Sequence, residues 1–122
     1  MRINREYLKK NRNHIFVFGD NSIRRGNAGA AELRDEPNTF GFITKKFPDN
    51  NKTSFYTPEE YKPIFEKELE KLEMHIKLSP NCLWLISQIG SGLANKYNIW
   101  EKVIQKEIFK LPDRYNNVKL LF

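Results

Sequence analysis

The sequence contains little of what several classes of protein depend on. Its 122 residues include one cysteine, Cys82, which cannot form an internal disulfide and which, at the start of an apolar run, we expect to be a buried structural thiol. No apolar run approaches the length of a membrane span, and no apolar core follows the first residues, Met1 to Arg5. We therefore expect a cytoplasmic protein with neither a membrane anchor nor a secretory signal.

Closely spaced metal ligands are also missing from the sequence. There are two histidines, His14 and His75, and neither lies in a cluster of cysteine or acidic residues. Protein metal sites bring several such side chains together, often from short and recognisable spacings. We expect no metal site, and no other pattern in the sequence indicates a cofactor.

The composition is that of one globular domain spanning residues 1–122. The hydrophobic fraction is 39% and the charged fraction 30%, and the length allows one modest core. Lysine and arginine outnumber aspartate and glutamate by 21 to 15, which gives a formal charge of +6. This excess suits an anionic partner, such as a nucleotide, a nucleic acid or an anionic lipid. A mildly basic solvated surface explains the charge equally well.

Strand patterns and helical patterns alternate along the chain. The predicted strands cover residues 15–18, 40–44, 83–86 and 118–122, and the predicted helices cover 30–36, 58–78 and the stretch from Ile99 to before Pro112. Thr57, Pro58 and Glu60 have the spacing of an N-cap, a first-turn proline and a capping box. The alternation predicts an α/β fold of three layers, in which helices cover a mostly parallel sheet. Tyr7 and Leu8 are expected to pack, and the rest of residues 1–13 to wrap the surface.

A glycine loop follows two of the predicted strands. The strand 83–86 leads into Gly90-Ser91-Gly92, and the strand 15–18 ends at a predicted turn, 19–21, before the run R-R-G-N-A-G-A-A at 24–31. The order strand, glycine loop, helix leaves backbone N–H groups unpaired near a bound anion, usually phosphate. Ligands of open α/β sheets bind at the ends of the strands, so both loops could face one ligand. The alternative is that these glycines only form tight turns.

The second of these loops resembles a known family. Q-I-G-S-G-L at 88–93, followed by W-E-K-V at 100–103, is similar to the I-G-x-G-L … W-x-x-V signature of macrodomains, which are ADP-ribose-binding α/β modules. The nearer likeness is to the branch of ADP-ribose deacylases and glutamate-ADP-ribose hydrolases, and three further segments, 25–31, 42–46 and 118–122, support it. The resemblance implies a compact macrodomain-like fold. The first strand of full macrodomains has no counterpart here, and an open sheet edge in its place suggests a homodimer.

The resemblance also implies a set of ligand-binding residues. Backbone N–H groups of the second loop would wrap a diphosphate, the first loop and the start of its helix would form the opposite wall, and polar residues before that loop would bind ribose or phosphate. The residues implied are Asp20, Asn21, Arg25, Gly26, Gly29, Ala30, Gly90, Ser91, Gly92 and Leu93. Arg24 and Arg25 could instead form a solvated basic turn. Asp20 and Asn21 could instead hold a turn through side-chain hydrogen bonds to the backbone.

Lys45 is the candidate catalytic residue. In the resembled branch, the first lysine of a pair at this position attacks the anomeric carbon of ADP-ribose, and it needs a lowered pKa to do so. That branch carries an aspartate as acid/base partner directly after its Gly-Leu, where this sequence has Ala94. Asp20 could replace it if the fold brings the two close together. We favour the simpler alternative, in which Lys45 and Lys46 form a basic strand end that attracts phosphates.

Three functions are therefore compared. The first and favoured one is a binder of ADP-ribose or a related nucleotide, which in a phage or mobile element could sequester a nucleotide signal. The second is an ADP-ribosyl hydrolase or O-acyl-ADP-ribose deacylase that uses Lys45. The third is a nucleic-acid-binding module, which the charge of +6 suggests but no nucleic-acid signature supports.

Overall fold

The fold is built on a four-stranded sheet in which every pairing is parallel. A computed structural model describes residues 2–122. The strands are β1 (His14–Asn21), β2 (Thr39–Lys45), β3 (Leu83–Ile86) and β4 (Val118–Leu120), in the order β2-β1-β3-β4. The register sets Phe16 of β1 beside both Thr39 of β2 and Leu85 of β3. The predicted α/β fold with a parallel sheet is confirmed, and the carboxyl ends of all four strands share one edge of the sheet.

The helices are shorter and more varied than the sequence patterns predict. The α-helices are α1 (Arg5–Lys10), α2 (Pro58–Leu78), α3 (Gln105–Ile108) and α4 (Leu111–Arg114). The two 3₁₀ helices are Gly29–Leu33 and Lys52–Ser54, and a π-helical turn spans Trp100–Ile104. The predicted helix 30–36 was therefore wrong in type and length, and the predicted helix from Ile99 begins as a π turn. The N-terminal segment contains α1, which the sequence analysis did not predict, while Leu8 is fully buried and Tyr7 packs against the smaller core, as expected.

Strand β1 is longer than the sequence predicts. The predicted turn at 19–21 was wrong, because β1 continues through Asn21, which lies beside Lys45 of β2. A register shift between Asp20 and Asn21 marks the end of regular pairing. The extension carries two polar side chains to the edge of the sheet where the glycine loops begin.

Alternate residues of β1 pack against the two layers of helices. Val17 belongs to the larger core, beneath α2 and the helical segments after residue 98, whereas Phe16 and Phe18 belong to a smaller core beneath α1 and the 3₁₀ helix Gly29–Leu33. This alternation is the period of a strand buried on both faces. The three-layer arrangement is confirmed, although the layer over the smaller core is thin. Among residues 2–122, no helix has the length and apolar character needed to span a bilayer.

Helix α2 begins at the predicted capping box and closes the free edge of β2. The Thr57 side chain accepts from the Glu60 N–H at 3.3 Å, and the Glu60 carboxylate accepts from the Thr57 N–H at 3.0 Å. Farther along, the Tyr61 hydroxyl donates to the Ile43 carbonyl at 2.6 Å, and Glu68 accepts from the Ile43 N–H at 2.8 Å. The two outward-facing backbone groups of Ile43 are therefore occupied. A homodimer through an open edge stays a prediction, and its strand would have to pair with the three-residue β4.

Replacing Glu68 tests whether this contact holds α2 on the sheet. Glu68→Ala removes the acceptor for the Ile43 N–H, so we expect a loss of about 1–3 kcal/mol in the free energy of unfolding. Glu68→Gln keeps an oxygen acceptor and should recover most of that loss. Urea unfolding measures both variants, and Glu66→Ala, at an exposed position of the same helix, is the matched control. Equal stability of the two alanine variants would contradict the role given to Glu68.

Candidate functional site

The carboxyl ends of β1, β2 and β3 open into a cavity of about 430 Å³, here called the main cavity. Its walls are the end of β1, the first glycine loop (residues 24–30), the end of β2 with the following turn, and the second glycine loop (residues 90–93). Of the predicted site residues, Asp20, Asn21, Arg25, Gly26, Gly29, Ala30, Lys45, Gly90, Gly92 and Leu93 line it. Residues from both halves of the sequence therefore meet around one space.

The second glycine loop turns where only glycine fits. Gly90 has φ of +77°, and a Cβ there would lie 2.5 Å from Cδ1 of Ile104. Gly92 has open space where a Cβ would lie. Ser91 faces back into the turn, because its N–H and its hydroxyl both donate to the Gln88 carbonyl, at 3.2 and 2.6 Å. Ser91 is the one predicted site residue that does not line the cavity.

Backbone N–H groups of both loops remain available at the cavity wall. Within the part of the chain that the structure describes, the N–H groups of Gly90 and Gly92 donate no hydrogen bond, and the same holds for Gly26, Gly29 and Ala30. Backbone donors in folded proteins are nearly always paired, so these groups would donate to water or to a ligand. Unpaired N–H groups gathered in a turn favour an anion as the acceptor. The 3₁₀ helix after the first loop has five residues and contributes no substantial dipole, which corrects the predicted helix N-terminus at Ala30.

Arg34 fixes the first glycine loop, and sequence reasoning did not identify it. Its Nη1 donates to both carboxylate oxygens of Asp20 at 2.6 Å, and its Nη2 reaches the carbonyls of Arg25 and Gly26 at 3.3 and 3.2 Å. The guanidinium also lies 5.6 Å from the centre of the Phe18 ring. One side chain thus ties the loop to the end of β1. No motif identifies Arg34, because in the sequence it is one charged residue within the predicted helix 30–36.

Asp20 lines the cavity, but its carboxylate is already bound. Its side chain is 2% exposed, and besides Arg34 it accepts from Arg24 at 3.3 Å and from the Asn21 N–H at 2.8 Å. Gly41 of β2 leaves room for this carboxylate, which a Cβ at that position would contact directly. The predicted role of Asp20 in ribose binding, and its possible role as acid/base partner of Lys45, find no support in this arrangement.

Asn21 stabilises the turn that leads into the first loop. Its amide donates to the Arg25 carbonyl at 2.6 Å, and its Oδ1 accepts from the Ile23 N–H at 3.2 Å. This is the alternative in which the side chain holds a turn. Arg24 has φ of +53° and donates to the Gly41 carbonyl at 3.1 Å, so it is used within the fold, whereas Arg25 is exposed at the cavity.

Lys45 lies on the opposite wall, at the end of β2. Its Nζ donates to the Asp49 carbonyl at 2.7 Å and lies 4.5 Å from the centre of the Phe55 ring. Burial lowers the pKa of Lys45, and the Asp49 carboxylate partly opposes that shift. Ala94, where the resembled hydrolases carry an aspartate, is buried in the cavity wall. The wall therefore has a perturbed lysine without the carboxylate partner that the resemblance requires.

A second cavity, of about 590 Å³, adjoins the main one. The two share Gly29, Ala30, Ser87 and Gln88, so they form neighbouring parts of one groove along the edge of the sheet. The walls of the second cavity are about equally polar and apolar. The apolar side chains are Ile3, Phe16, Leu33, Leu121 and Phe122, and the polar and charged ones include Arg2, Glu32 and Gln88.

Two side chains near the second glycine loop have structural roles. Trp100 is 5% exposed and packs edge-on against Phe109 and Phe122. Asn95 was not foreseen: its Oδ1 accepts from the Trp100 N–H at 2.9 Å, and its amide donates to Glu101. Within residues 2–122, no group of three or more His, Cys, Asp or Glu is arranged to hold a metal ion.

These features define a parallel α/β domain with a ligand-sized groove at the carboxyl ends of its strands. The chain belongs to a family of unknown function, DUF7831, whose profile matches residues 1–98. That match contains every residue that lines the main cavity. No curated protein and no solved structure matches the chain.

Arg34→Met tests the contact that fixes the first loop. The change leaves the buried Asp20 carboxylate without its main partner, so we expect a loss of about 3 kcal/mol in the free energy of unfolding. Arg25→Met removes the same charge from an exposed side chain of the same loop and should change stability by less than about 0.5 kcal/mol. Urea unfolding measures both. If Arg34→Met were as stable as Arg25→Met, the ion pair would not hold the loop.

Proposed function

We propose that this chain binds ADP-ribose or a closely related nucleotide in the groove at the carboxyl ends of its strands. One observation carries the proposal: two glycine loops, each with backbone N–H groups that donate no hydrogen bond within residues 2–122, line the same cavity. Such donors suit the oxygens of a diphosphate, which can accept from both loops at once. The exposed Arg25 adds a positive charge at the same cavity.

The shape of the groove suits a ligand that is longer than a phosphate group. Small-molecule sites typically have volumes of about 300–1,000 Å³, and the two adjoining cavities together are of that order. Two aromatic rings, Phe16 and Phe122, line the second cavity and suit a flat base, and the glycine loops line the main cavity. A base in one and a diphosphate with its distal ribose in the other is the arrangement that we propose.

The resemblance to macrodomains supports the same proposal from the sequence. The most specific segment of the resemblance is the second glycine loop followed by Trp100. The N–H groups of Gly90 and Gly92 in this loop donate no hydrogen bond within residues 2–122, and Trp100 is buried. If the chain acts in a phage or mobile element, such a binder would sequester a nucleotide signal; this biological role rests on analogy.

Binding accounts for the site better than hydrolysis does. A lysine nucleophile would find support in the lowered pKa of Lys45 and in its position on the cavity wall. However, Asp20 is held by Arg34, and position 94 has no carboxylate, so no acid/base partner is in place. The hydrolase remains the second candidate, and Lys45→Ala would abolish any release of ADP-ribose from an ester or glutamate-linked substrate.

Isothermal titration calorimetry with ADP-ribose tests the proposal. We expect saturable binding that Gly92→Glu weakens at least about tenfold, because the new carboxylate would stand beside the diphosphate. Gly92 suits this test since a Cβ there meets no atom within 4 Å, whereas a side chain at Gly90 would clash with Ile104. Asn81→Glu adds the same charge at an exposed position before β3, at the opposite end of the sheet, and is the matched control.

The other ligands in the titration distinguish the rival functions. ADP, NAD and a short RNA are measured beside ADP-ribose, at two salt concentrations. Failure of every mononucleotide, together with RNA binding that falls steeply with salt, would favour the nucleic-acid-binding module instead. Equal weakening by Gly92→Glu and Asn81→Glu would show that the ligand senses overall charge and not the glycine loops.

A further inference from the structure

We propose that an exposed surface on the helical segment after the second glycine loop binds a single strand of nucleic acid, in addition to the ligand proposed for the main cavity. This basic–aromatic surface consists of Lys102, Lys106, Phe109 and Phe122. Of these four residues, only Phe122 also lines the second cavity, and none lines the main cavity. The inference therefore does not depend on the glycine loops or on the function proposed for them.

Two phenylalanine rings are exposed on a packed base. Phe109 and Phe122 have 49% and 44% of their surface exposed, although both are large and apolar. Their ring centres lie 5.7 Å apart, and both rings pack edge-on against the buried Trp100, with centre-to-centre distances of 6.4 and 5.5 Å. These contacts restrict how the two rings can turn. Half-exposed rings held in this way offer a surface on which a flat base can stack.

Two lysines lie on the same side of the helical segment as Phe109. Lys106 precedes Phe109 by three residues, and Lys102 precedes Lys106 by four, and residues at these spacings are neighbours on a helix surface. Both lysines are exposed, and within residues 2–122 neither forms a salt bridge. Their ammonium groups are therefore available to an anion beside the rings.

The carboxylates nearest in sequence to these lysines have other partners. Glu101 accepts from the Asn95 amide at 2.7 and 3.0 Å. Glu107 forms salt bridges with Lys110 at 3.3 Å and with Arg114 at 3.8 Å. The surface thus keeps a positive charge, which argues against a second copy of the chain as its partner, since two copies meeting here would oppose like charges. An anionic partner is the one that the charge favours.

The combination of exposed rings with free lysines favours a nucleic-acid strand over an acidic peptide. An acidic peptide would use the charges alone, whereas unpaired bases stack on aromatic rings while the neighbouring phosphates meet the lysines. A duplex hides the faces of its bases, so only a single strand can use both kinds of contact. The formal charge of +6 on the whole chain adds attraction at longer range.

Fluorescence anisotropy with a labelled oligothymidylate of about ten nucleotides tests the role of the rings. We expect saturable binding to the full chain that is tighter for the single strand than for the same strand in a duplex. Phe109→Leu keeps an apolar side chain but removes the ring, and it should weaken binding about tenfold. Phe109→Tyr keeps a ring and should bind like the wild type. Both variants should fold, since Phe109 is half exposed, and circular dichroism measures this.

The salt dependence of the affinity tests the role of the lysines. For a single strand, each phosphate contact contributes about 0.7 to the slope of log affinity against log salt concentration. Lys102→Met combined with Lys106→Met should therefore lower the slope by about 1.4. The matched control is Lys9→Met combined with Lys52→Met, which removes two exposed lysines from other parts of the surface and should leave the slope nearly unchanged.

Three results would overturn the inference. The first is binding by Phe109→Leu that equals that of the wild type. The second is an equal loss of slope in the two double variants, which would show that the strand senses overall charge. The third is displacement of the strand by polyglutamate as readily as by unlabelled oligonucleotide, which would assign the surface to an acidic protein. No ADP-ribose is used, so the function proposed for the main cavity stands or fails separately.

Discussion

The ion pair between Arg34 and the buried Asp20 is the interaction on which the site depends. Asp20 stands at the end of the central strand, and Arg34 joins it to the carbonyls of Arg25 and Gly26 in the first glycine loop. The N–H groups of Gly26, Gly29 and Ala30 in the same loop donate no hydrogen bond within residues 2–122. The same ion pair neutralises Asp20, a carboxylate that lines the main cavity, which is compatible with the proposed binding of a phosphate.

The parallel sheet brings the two glycine loops to the same place, which is the second requirement of the proposed site. Parallel strands bring their carboxyl ends to one edge, so two loops separated by some sixty residues in sequence face the same space. Each loop is held by different contacts. Arg34 and Asn21 hold the first loop through hydrogen bonds, and the second is followed by a hydrogen bond from the N–H of the buried Trp100 to the Asn95 side chain. The donors are thus fixed before any ligand arrives, which reduces the entropy lost on binding.

Hydrophobic periodicity predicted the sheet and α2 well, because four short apolar runs and a capping box are strong local signals. The same signals were weaker at β1, where Gly19 to Asn21 looked like a turn but continue the strand through pairing with β2. The glycine loops were found from sequence because their spacing is local. Arg34 was missed, since its contacts with Asp20 and with the loop carbonyls join separate segments and no motif records them.

The most direct test of the account is a ¹H–¹⁵N correlation spectrum of the chain titrated with ADP-ribose. The N–H groups of Gly26, Gly29, Gly90 and Gly92 donate no hydrogen bond in the free protein, and each would gain an acceptor on binding. We predict that these four resonances move together and saturate at one ligand per chain, while amides at the amino ends of the strands stay in place. Shifts confined to other surfaces, or no shift in the glycine resonances at saturating ligand, would contradict the claim that the two loops form one binding site.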